Sequence, residues 1–312
     1  MEELYDKINH RYEYGEFINN PTLLKEHTID VVFYKKLTDD NPLISIVTPV
    51  YNQEKIIVNN IKSVLEHTTE CKYEYIIIVD CCSDNTLENI KEFFSSLDTY
   101  PSNCVLVTVL KSDVPMFETS ADNLGFYCSR GDYIIEIQAD MNMTEKGYNE
   151  VLMKPFDASN FDSSKVIGVS GRCCHKFSGQ NGIGKLGYYV EKTIEQLGIE
   201  RNIFYMSETC NRGPLMLDRK KLVQLNYLDE KNFYLDNSDH DLFARAYFYK
   251  KWICGYVPID FSSPLQEGST RKGRDSINQK WLKIRKEESD GGFYRKYLEY
   301  LHEPISNTSI KL

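Results

Sequence analysis

The sequence predicts an α/β fold built on a largely parallel sheet, and three stretches carry that prediction. Ile44-Ser45-Ile46-Val47-Thr48-Pro49-Val50, Tyr75-Ile76-Ile77-Ile78-Val79-Asp80 and Tyr133-Ile134-Ile135-Glu136-Ile137 are apolar, β-branched runs. Each ends at polar residues able to bind a ligand: Tyr51-Asn52, Asp80 and Gln138-Ala139-Asp140. Strands buried on both faces of a parallel sheet read this way. In open α/β sheets, ligands settle outside the carboxyl ends of the strands. Three such ends in succession point to a nucleotide site as well as to a core.

The elements follow in order. Residues 1–42 are polar and aromatic with no strong period, and read as an extension packed on the domain, ending at Asn41-Pro42. From Leu43 strand and helix alternate. Ile57, Ile61, Val64 and Leu65 fall at helical spacing, as do Leu87, Ile90, Phe94 and Leu97. Asp84 is placed to cap the second of these helices. A third strand is expected over Val105–Leu110, then a helix over Ser120–Arg130 that feeds the strand Tyr133–Ile137. A β-α-β-α-β series implies parallel strands joined by right-handed crossovers.

The second half is less regular. It predicts a strand at Val166–Ser170, a helix over Leu186–Leu197 and a strand–helix step from Pro214–Leu217. A helix over Asn237–Lys250 and a strand over Trp252–Val257 follow. Residues 262–280 are rich in Ser, Gly, Lys and Arg and read as a loop, with short helices beyond it at 277–284 and 293–301. The expected organisation is an extension (1–42), a main domain (43–265) and a mobile loop with C-terminal helices (266–312).

Composition narrows the function classes. At 312 residues the chain can bury one large core. Hydrophobic residues at 41% and charged residues at 27% are those of an ordinary soluble globule. A net charge of −9 argues against a general nucleic-acid binder, which needs a basic face. Nine cysteines include no Cys-x-x-Cys pair, so a zinc site is not expected, and reduced thiols suit a cytoplasmic location. No apolar run approaches the roughly 18 residues of a membrane span. The acidic start Met1-Glu2-Glu3-Leu4-Tyr5-Asp6 has no signal-peptide core.

Five motifs carry the chemistry. They are Thr48-Pro49-Val50-Tyr51-Asn52, Asp80 with Ser83-Asp84-Asn85-Thr86, Asn123-Leu124-Gly125, Gln138-Ala139-Asp140, and Asp239-His240-Asp241-Leu242 with Arg245. Their order and spacing, over roughly residues 43 to 260, resemble family 2 glycosyltransferases. That resemblance implies a GT-A fold, a Rossmann-like three-layer α/β/α sandwich around a mostly parallel sheet. It also implies an inverting transfer of a sugar from a nucleotide-diphosphate donor, a UDP-sugar above others, to a hydroxyl of a glycan or other acceptor.

The resemblance assigns roles residue by residue. Thr48, Pro49, Tyr51, Asn52, Asp80, Ser83, Asn123, Gln138, Ala139 and Arg212 would surround the donor, with Tyr51 flanking the base and Asp80 accepting from a base N–H. The alternative for Asp80 is a helix-capping carboxylate. Asp140 would hold Mn²⁺ or Mg²⁺, because a hard cation at a diphosphate takes one or two carboxylates and completes its shell with phosphate and water. Asp239 would be the general base. Its alternative is an acidic first helical turn, which Asp236, Asp239 and Asp241 would all satisfy. Arg212 would reach the sugar or acceptor, unless it is a surface arginine. Arg271, Lys272 and Arg274 would close over the diphosphate, unless they are simply solvated.

The chain departs from the family at three points. Gln138 stands where the first acid of an Asp-x-Asp pair belongs, Ser238 where a glutamate precedes the base, and Cys81-Cys82 where an acid and glycine follow Asp80. These departures keep open a second class of function, a non-catalytic nucleotide- or glycan-binding module on the same fold. A sugar-nucleotide nucleotidyltransferase fits worse, since Val50-Tyr51-Asn52-Gln53-Glu54 has no glycine-rich basic phosphate loop.

Overall fold

The computed structural model describes residues 29–176, 184–187, 192–230, 232–233, 237–263 and 309–312. The first half lays down β1 (Ile29–Lys36), β2 (Ile44–Val50), β3 (Tyr73–Asp80), β4 (Cys104–Ser112) and β5 (Tyr133–Glu136). Between these strands run α1 (Ile57–His67), α2 (Thr86–Ser96) and α3 (Phe117–Cys128). After the short β6 (Asn142–Met143) come α4 (Tyr148–Asp157), β7 (Val166–Ser170), β8 (Cys173–Lys176) and β9 (Gly184–Gly187). Then follow α5 (Ile194–Leu197), β10 (Ile203–Ser207), β11 (Thr209–Cys210), β12 (Leu215–Asp218), α6 (Arg219–Gln224) and α7 (Ser238–Lys250). The chain returns through β13 (Ile253–Tyr256), β14 (Phe261–Ser262) and β15 (Ser309–Lys311).

The main sheet has the order β1-β4-β3-β2-β5-β12-β7-β13-β10-β15. β4, β3, β2 and β5 are mutually parallel, and β7 and β13 form a second parallel pair. Only β1, β12 and β10 run against the rest. The alternating apolar pattern places successive side chains on opposite faces. Ile44, Ile46, Tyr75, Ile77 and Val79 pack with Ile57, Ile61, Ile90, Phe94 and Leu152 of α1, α2 and α4. Val47, Ile76, Ile78 and Ile134 pack with Leu124, Leu222, Leu242 and Phe243 of α3, α6 and α7. The result is an α/β/α sandwich with two cores, and it agrees with the expected fold class.

The structure differs from the sequence reading in several places. Part of the extension, β1, is an edge strand antiparallel to β4. Its exposed Lys35 and Lys36 give that edge the charge that discourages further strand pairing. Leu186 and Gly187 belong to β9, paired with β8, and among the described residues of the helix expected over Leu186–Leu197 only Ile194–Leu197 are helical. There a Thr193–Gln196 capping box starts it and Gly198 in the left-handed region ends it. Residues 309–311, beyond the last helix expected from the sequence, form a strand against β10. The helices expected at 277–284 and 293–301, and Asp236, Arg271, Lys272 and Arg274, lie outside the described residues. No helix among the described residues is long and apolar enough to cross a membrane.

Candidate active site

The carboxyl ends of β2 and β3 lie side by side, Val50 opposite Val79, and their loops are sewn together. Asn52 adopts a left-handed φ of 48°, a conformation asparagine tolerates better than most residues. Its side chain accepts from the Ser83 N–H at 2.8 Å and donates to Ser83 Oγ at 3.2 Å. Its own N–H meets Cys82 Sγ at 3.2 Å. Next along, the Gln53 N–H donates to Thr86 Oγ1 and the Glu54 N–H to Asp84. Helix α2 begins at Thr86 with Asn85 at the cap position, and Asp84 accepts from the Thr86 N–H just before the turn closes. Pro49 and Tyr51 are half-buried on this edge.

Asp80 closes β3, but its carboxylate is already engaged. Oδ1 accepts from the Met116 N–H at 2.6 Å and Oδ2 from the Phe117 N–H at 2.9 Å. These amides open α3, where helical backbone offers them no acceptor of its own and a carboxylate is favoured. Burial lifts the Asp80 carboxyl to about 6, against the pull of those two N–H groups. It therefore caps a helix, and the helix is α3, not the one that follows it in sequence.

Thr48 and Asn123 turn inward, away from the edge. Thr48 Oγ1 meets Tyr75 Oη at 3.2 Å in the core. The Asn123 amide donates to Leu228 O and Glu230 Oε1 and accepts from the Leu228 N–H, so it holds α3 to the segment before α7. Gly125, in the same motif, lets α3 lie directly on β2: an added Cβ would fall 2.3 Å from Val47 Cγ1. The Asn123-Leu124-Gly125 motif is therefore a packing device in this chain.

The Gln138-Ala139-Asp140 turn follows β5. Asn60 of α1 supports it from below, donating to Gln138 O at 3.1 Å and to Met141 O. Gly213 covers it in a left-handed conformation, φ 58°, where a Cβ would meet Gln138 Cγ at 2.9 Å. Ala139 and Asp140 are buried to 6% and 9% exposure. No group of three or more His, Cys, Asp or Glu able to hold a metal occurs among the described residues. Asp140 alone is an adequate donor set only for a hard cation that also takes its ligands from a bound diphosphate and water, which is how Mg²⁺ is usually held. In that sense the turn is compatible with such an ion, and Asp140 is the carboxylate that would hold it.

Across from the turn is a dense charge cluster. Arg212 is buried, contrary to a surface position. Its Nη1 donates to Asp122 Oδ2 at 2.5 Å, and Nη2 lies 3.5 Å from Glu118 Oε2. Burial opposes the charge on Arg212, but Glu118, Asp122, Asp239 and Glu136 outweigh it and raise its pKa. Burial pushes Asp122 upward against the pull of Arg212, and pushes Glu136 well above the carboxylate range. Glu136 is fully buried, and neither carboxyl oxygen has a well-aligned hydrogen-bond partner. A neutral, protonated Glu136 is the state that burial favours.

Asp239 sits in the first turn of α7, in contact with this cluster. Oδ2 accepts from the Arg212 N–H at 3.1 Å and Oδ1 from the His240 N–H at 2.8 Å. Burial alone would raise its pKa, but His240, Arg212 and these two N–H groups hold it below the ordinary value. Ser238 is tied to Thr119 of α3 at 3.0 Å. His240 Nδ1 meets Thr209 Oγ1 at 2.9 Å, and its ring lies edge-on to His175 with centroids 5.0 Å apart. Asp241 is a different kind of acid. It is fully buried and pairs with Arg245, whose Nη atoms donate to Leu225 O and Tyr227 O.

The structure thus links Gln138, Arg212 and Asp239 through Glu118, and gives the polar atoms of Thr48 and Asn123 buried partners of their own. It adds Glu118, Asp122, Glu136 and Arg172, which the motifs did not single out. Arg172, just past β7, donates from Nη1 to Gln138 Oε1 at 2.9 Å. Of these four, only Glu136 carried a signal in the sequence, as a charge inside the apolar run Ile134-Ile135-Glu136-Ile137.

Comparison with known proteins bears on the family and the fold. The family described as glycosyl transferase family 2 matches residues 45–210, just over half of the chain. Glycosyltransferase GlyG of Streptococcus pneumoniae is 30% identical over 200 residues, covering 61% of this chain and 60% of GlyG. The putative colanic acid biosynthesis glycosyl transferase WcaA of Escherichia coli is 29% identical over 105 residues, covering 34% of this chain and 35% of WcaA. The chain therefore spans less than two thirds of these relatives. Among solved structures, a mannosyltransferase from Pyrobaculum calidifontis in complex with GDP-Man and Mn²⁺ superposes with a TM-score of 0.54 at 12% identity, covering 98% of this chain and 74% of that one. S. aureus TarS 1-349 in complex with UDP-GlcNAc gives 0.50 at 13% identity, covering 82% and 72%. These two likenesses concern the fold. With the family match spanning β2 through β11, the chain belongs to glycosyltransferase family 2.

Proposed function

We propose that this chain transfers a sugar from a nucleotide-diphosphate sugar, most readily a UDP-sugar, to an acceptor hydroxyl with inversion, assisted by a divalent cation. The observation that carries the reading is Asp239, a carboxylate kept ionised at a helix start and held by two backbone N–H groups beside the Gln138 turn. A fixed anion there accepts the hydrogen bond of an incoming hydroxyl and orients its lone pair. A lowered pKa leaves it a weak base, so the proton would move late, as the new bond forms and the diphosphate leaves, and desolvation by the bound donor would be needed to raise its basicity. The donor would lie along the sewn edge of Pro49, Tyr51, Asn52 and Ser83, with its diphosphate toward Asp140. The cation, when bound, supplies charge stabilisation to the departing diphosphate. Asp80 serves this edge by fixing the start of α3, and any contact it makes to a base is shared with two backbone N–H groups. The fold neighbours bound to UDP-GlcNAc and to GDP-Man with Mn²⁺ support a nucleotide-sugar donor without choosing the base.

The test is a thermal-shift panel of UDP, GDP, dTDP and CMP with and without Mn²⁺, followed by hydrolysis assays with the matching nucleotide sugars. A ligand specific to the native state raises the melting temperature by mass action. The expected result is a Mn²⁺-dependent shift with UDP, lost in Asp140→Asn, and slow hydrolysis of a UDP-sugar. Binding without hydrolysis or transfer would favour the non-catalytic module. Binding of no nucleotide would overturn the transfer reading and leave only a glycan-binding module.

A further inference from the structure

The family's acid-x-acid turn has a glutamine here, and the surroundings of that glutamine explain why. Gln138 Nε2 donates to Glu118 Oε1 at 2.6 Å, while Gln138 Oε1 accepts from Arg172 Nη1 at 2.9 Å. A side-chain amide donates to an anion at one end and accepts from a cation at the other, which an ionised carboxylate, having no donor, cannot do. A carboxylate at 138 would stand at hydrogen-bond distance from the carboxylate of Glu118, where two like charges cannot both ionise. The acid missing from the turn is thus present on α3, in direct contact with the turn.

Glu118 also faces the opposite way. Its other oxygen, Oε2, lies 3.5 Å from Arg212 Nη2. The Arg212 main chain in turn donates to Asp239. A single side chain at the start of α3 therefore touches both the donor-side turn and the residue that holds the acceptor-side carboxylate. The path Arg172–Gln138–Glu118–Arg212–Asp239 joins five segments that are distant in sequence. Glu118 keeps 23% of its side chain exposed, so it is neither a core residue nor a free surface one.

We propose that Glu118 is a positioning residue of the transfer reaction, setting the register between the Gln138-Ala139-Asp140 turn and the Arg212–Asp239 pair. This rests on the reading of the site as a sugar-transfer centre. Misplacing reacting groups by about 1 Å can cost on the order of 100-fold in rate. Loss of the Glu118 anchor is expected to act through kcat and not through donor binding.

The test is a four-member cycle of the full chain: wild type, Glu118→Gln, Gln138→Glu and the exchange Glu118→Gln/Gln138→Glu. Each protein is assayed for transfer kcat with the donor found above, donor Kd by calorimetry, and melting temperature. Gln138→Glu sets two carboxylates against each other and should lose about 10- to 100-fold in kcat. The exchange restores an acid–amide pair at the same contact and leaves the introduced carboxylate to face Arg172, so it should recover at least about 10-fold over Gln138→Glu. Glu118→Gln should lower kcat about 10-fold while donor Kd stays within about 2-fold. A kcat for Glu118→Gln within about 2-fold of wild type, with coupling seen only in melting temperature, would show that the contact is structural and overturn the proposal. An unfolded Gln138→Glu would leave the decision to Glu118→Gln, which is nearly isosteric. Failure of the wild type to turn over any nucleotide sugar would instead remove the function reading, and the positioning role with it.

Discussion

The two sides of the candidate site are built on opposite principles. The proposed donor edge, at the ends of β2 and β3, is sewn mostly by neutral groups: the Asn52–Ser83 pair, the Gln53 N–H on Thr86, the Asn52 N–H on Cys82, with the Asp84 carboxylate taking the Glu54 N–H. The proposed acceptor side is charge-dense and largely buried, with Glu118, Asp122, Glu136 and Asp239 around one arginine. Neutral hydrogen bonds each contribute little net stability and can be lost one at a time. A buried ion cluster behaves otherwise, because removing one partner strands the charge of the others. The donor edge should therefore degrade gradually under mutation, and the acceptor side abruptly.

The largest effect follows from that contrast. Arg212→Ala removes the cation shared by Asp122, Glu118 and Asp239, and should destabilise the protein by about 3–5 kcal/mol. Urea denaturation at neutral pH measures it. A loss below about 1 kcal/mol would mean that the acids relieve one another by taking up protons, and that Arg212 is dispensable to the fold.

The next effect separates two acids on one helix. Asp239→Asn should lower transfer kcat by about 10²- to 10⁴-fold, the usual span for a general base, with donor affinity little changed. Asp241→Asn should do the reverse. It weakens the buried pair with Arg245 and costs about 1–3 kcal/mol of stability, but leaves kcat near wild type once folded protein is counted. Single-turnover kinetics with melting curves on both variants decides the matter. Equal loss of rate in the two would leave Asp239 as one acid among others in a helical turn.

The same contrast explains what could be read from the sequence. The alternating strands, helices α1, α2 and α7 and the Gln138-Ala139-Asp140 turn were legible because hydrophobic period and strand-end chemistry are local. The donor-edge loops were legible for the same reason, as turn residues after apolar runs. The charge cluster was not, since Asp122 meets Arg212 across 90 positions and Thr119 meets Ser238 across 119. No spacing rule links such residues. Asp80, Thr48 and Asn123 show the limit from the other side. Their places in the motifs were visible, but the backbone and core groups that occupy their polar atoms are set by how α3 and the segment before α7 come to rest.

A smaller effect concerns pH. The folded pKa of Glu136 lies above its unfolded value, so its stabilising contribution is full at low pH, where it is protonated in both states. That contribution falls as pH rises from the ordinary carboxylate range through the raised folded value. Glu136→Gln keeps the size of the protonated acid and removes the titration. It should match wild type near pH 3.5, below the ordinary carboxylate range, and exceed it by about 1 kcal/mol or more near pH 8, by denaturant titration. Any slope left in the variant belongs in part to Asp80 and Asp122, whose carboxyls are raised as well. A variant less stable than wild type at pH 8 would show that Glu136 is ionised in the fold and matched by Arg212.

The smallest effect belongs to the donor edge, and it tests the gradual half of the contrast. Asn52 is half-buried, and its amide spans the two loops by two contacts to Ser83. Asn52→Ala removes both and leaves a non-glycine residue in the left-handed region without the side chain that tolerates it. The expected cost in stability is about 1 kcal/mol, since the groups released from Asn52 can turn to water. If this edge cradles the nucleotide, the loosened loop should weaken donor binding by about 3- to 10-fold, the scale of one neutral hydrogen bond or a little more. Ser83→Ala takes away only the hydroxyl and keeps the residue-83 N–H on Asn52, so it should lie between wild type and Asn52→Ala in both measurements. Calorimetry with UDP and Mn²⁺, alongside melting temperatures, orders the three proteins. Unchanged affinity in Asn52→Ala would place the nucleotide elsewhere on the sheet edge. A drop of about 100-fold or more, from the loss of neutral bonds alone, would mean that Asn52 touches the ligand itself.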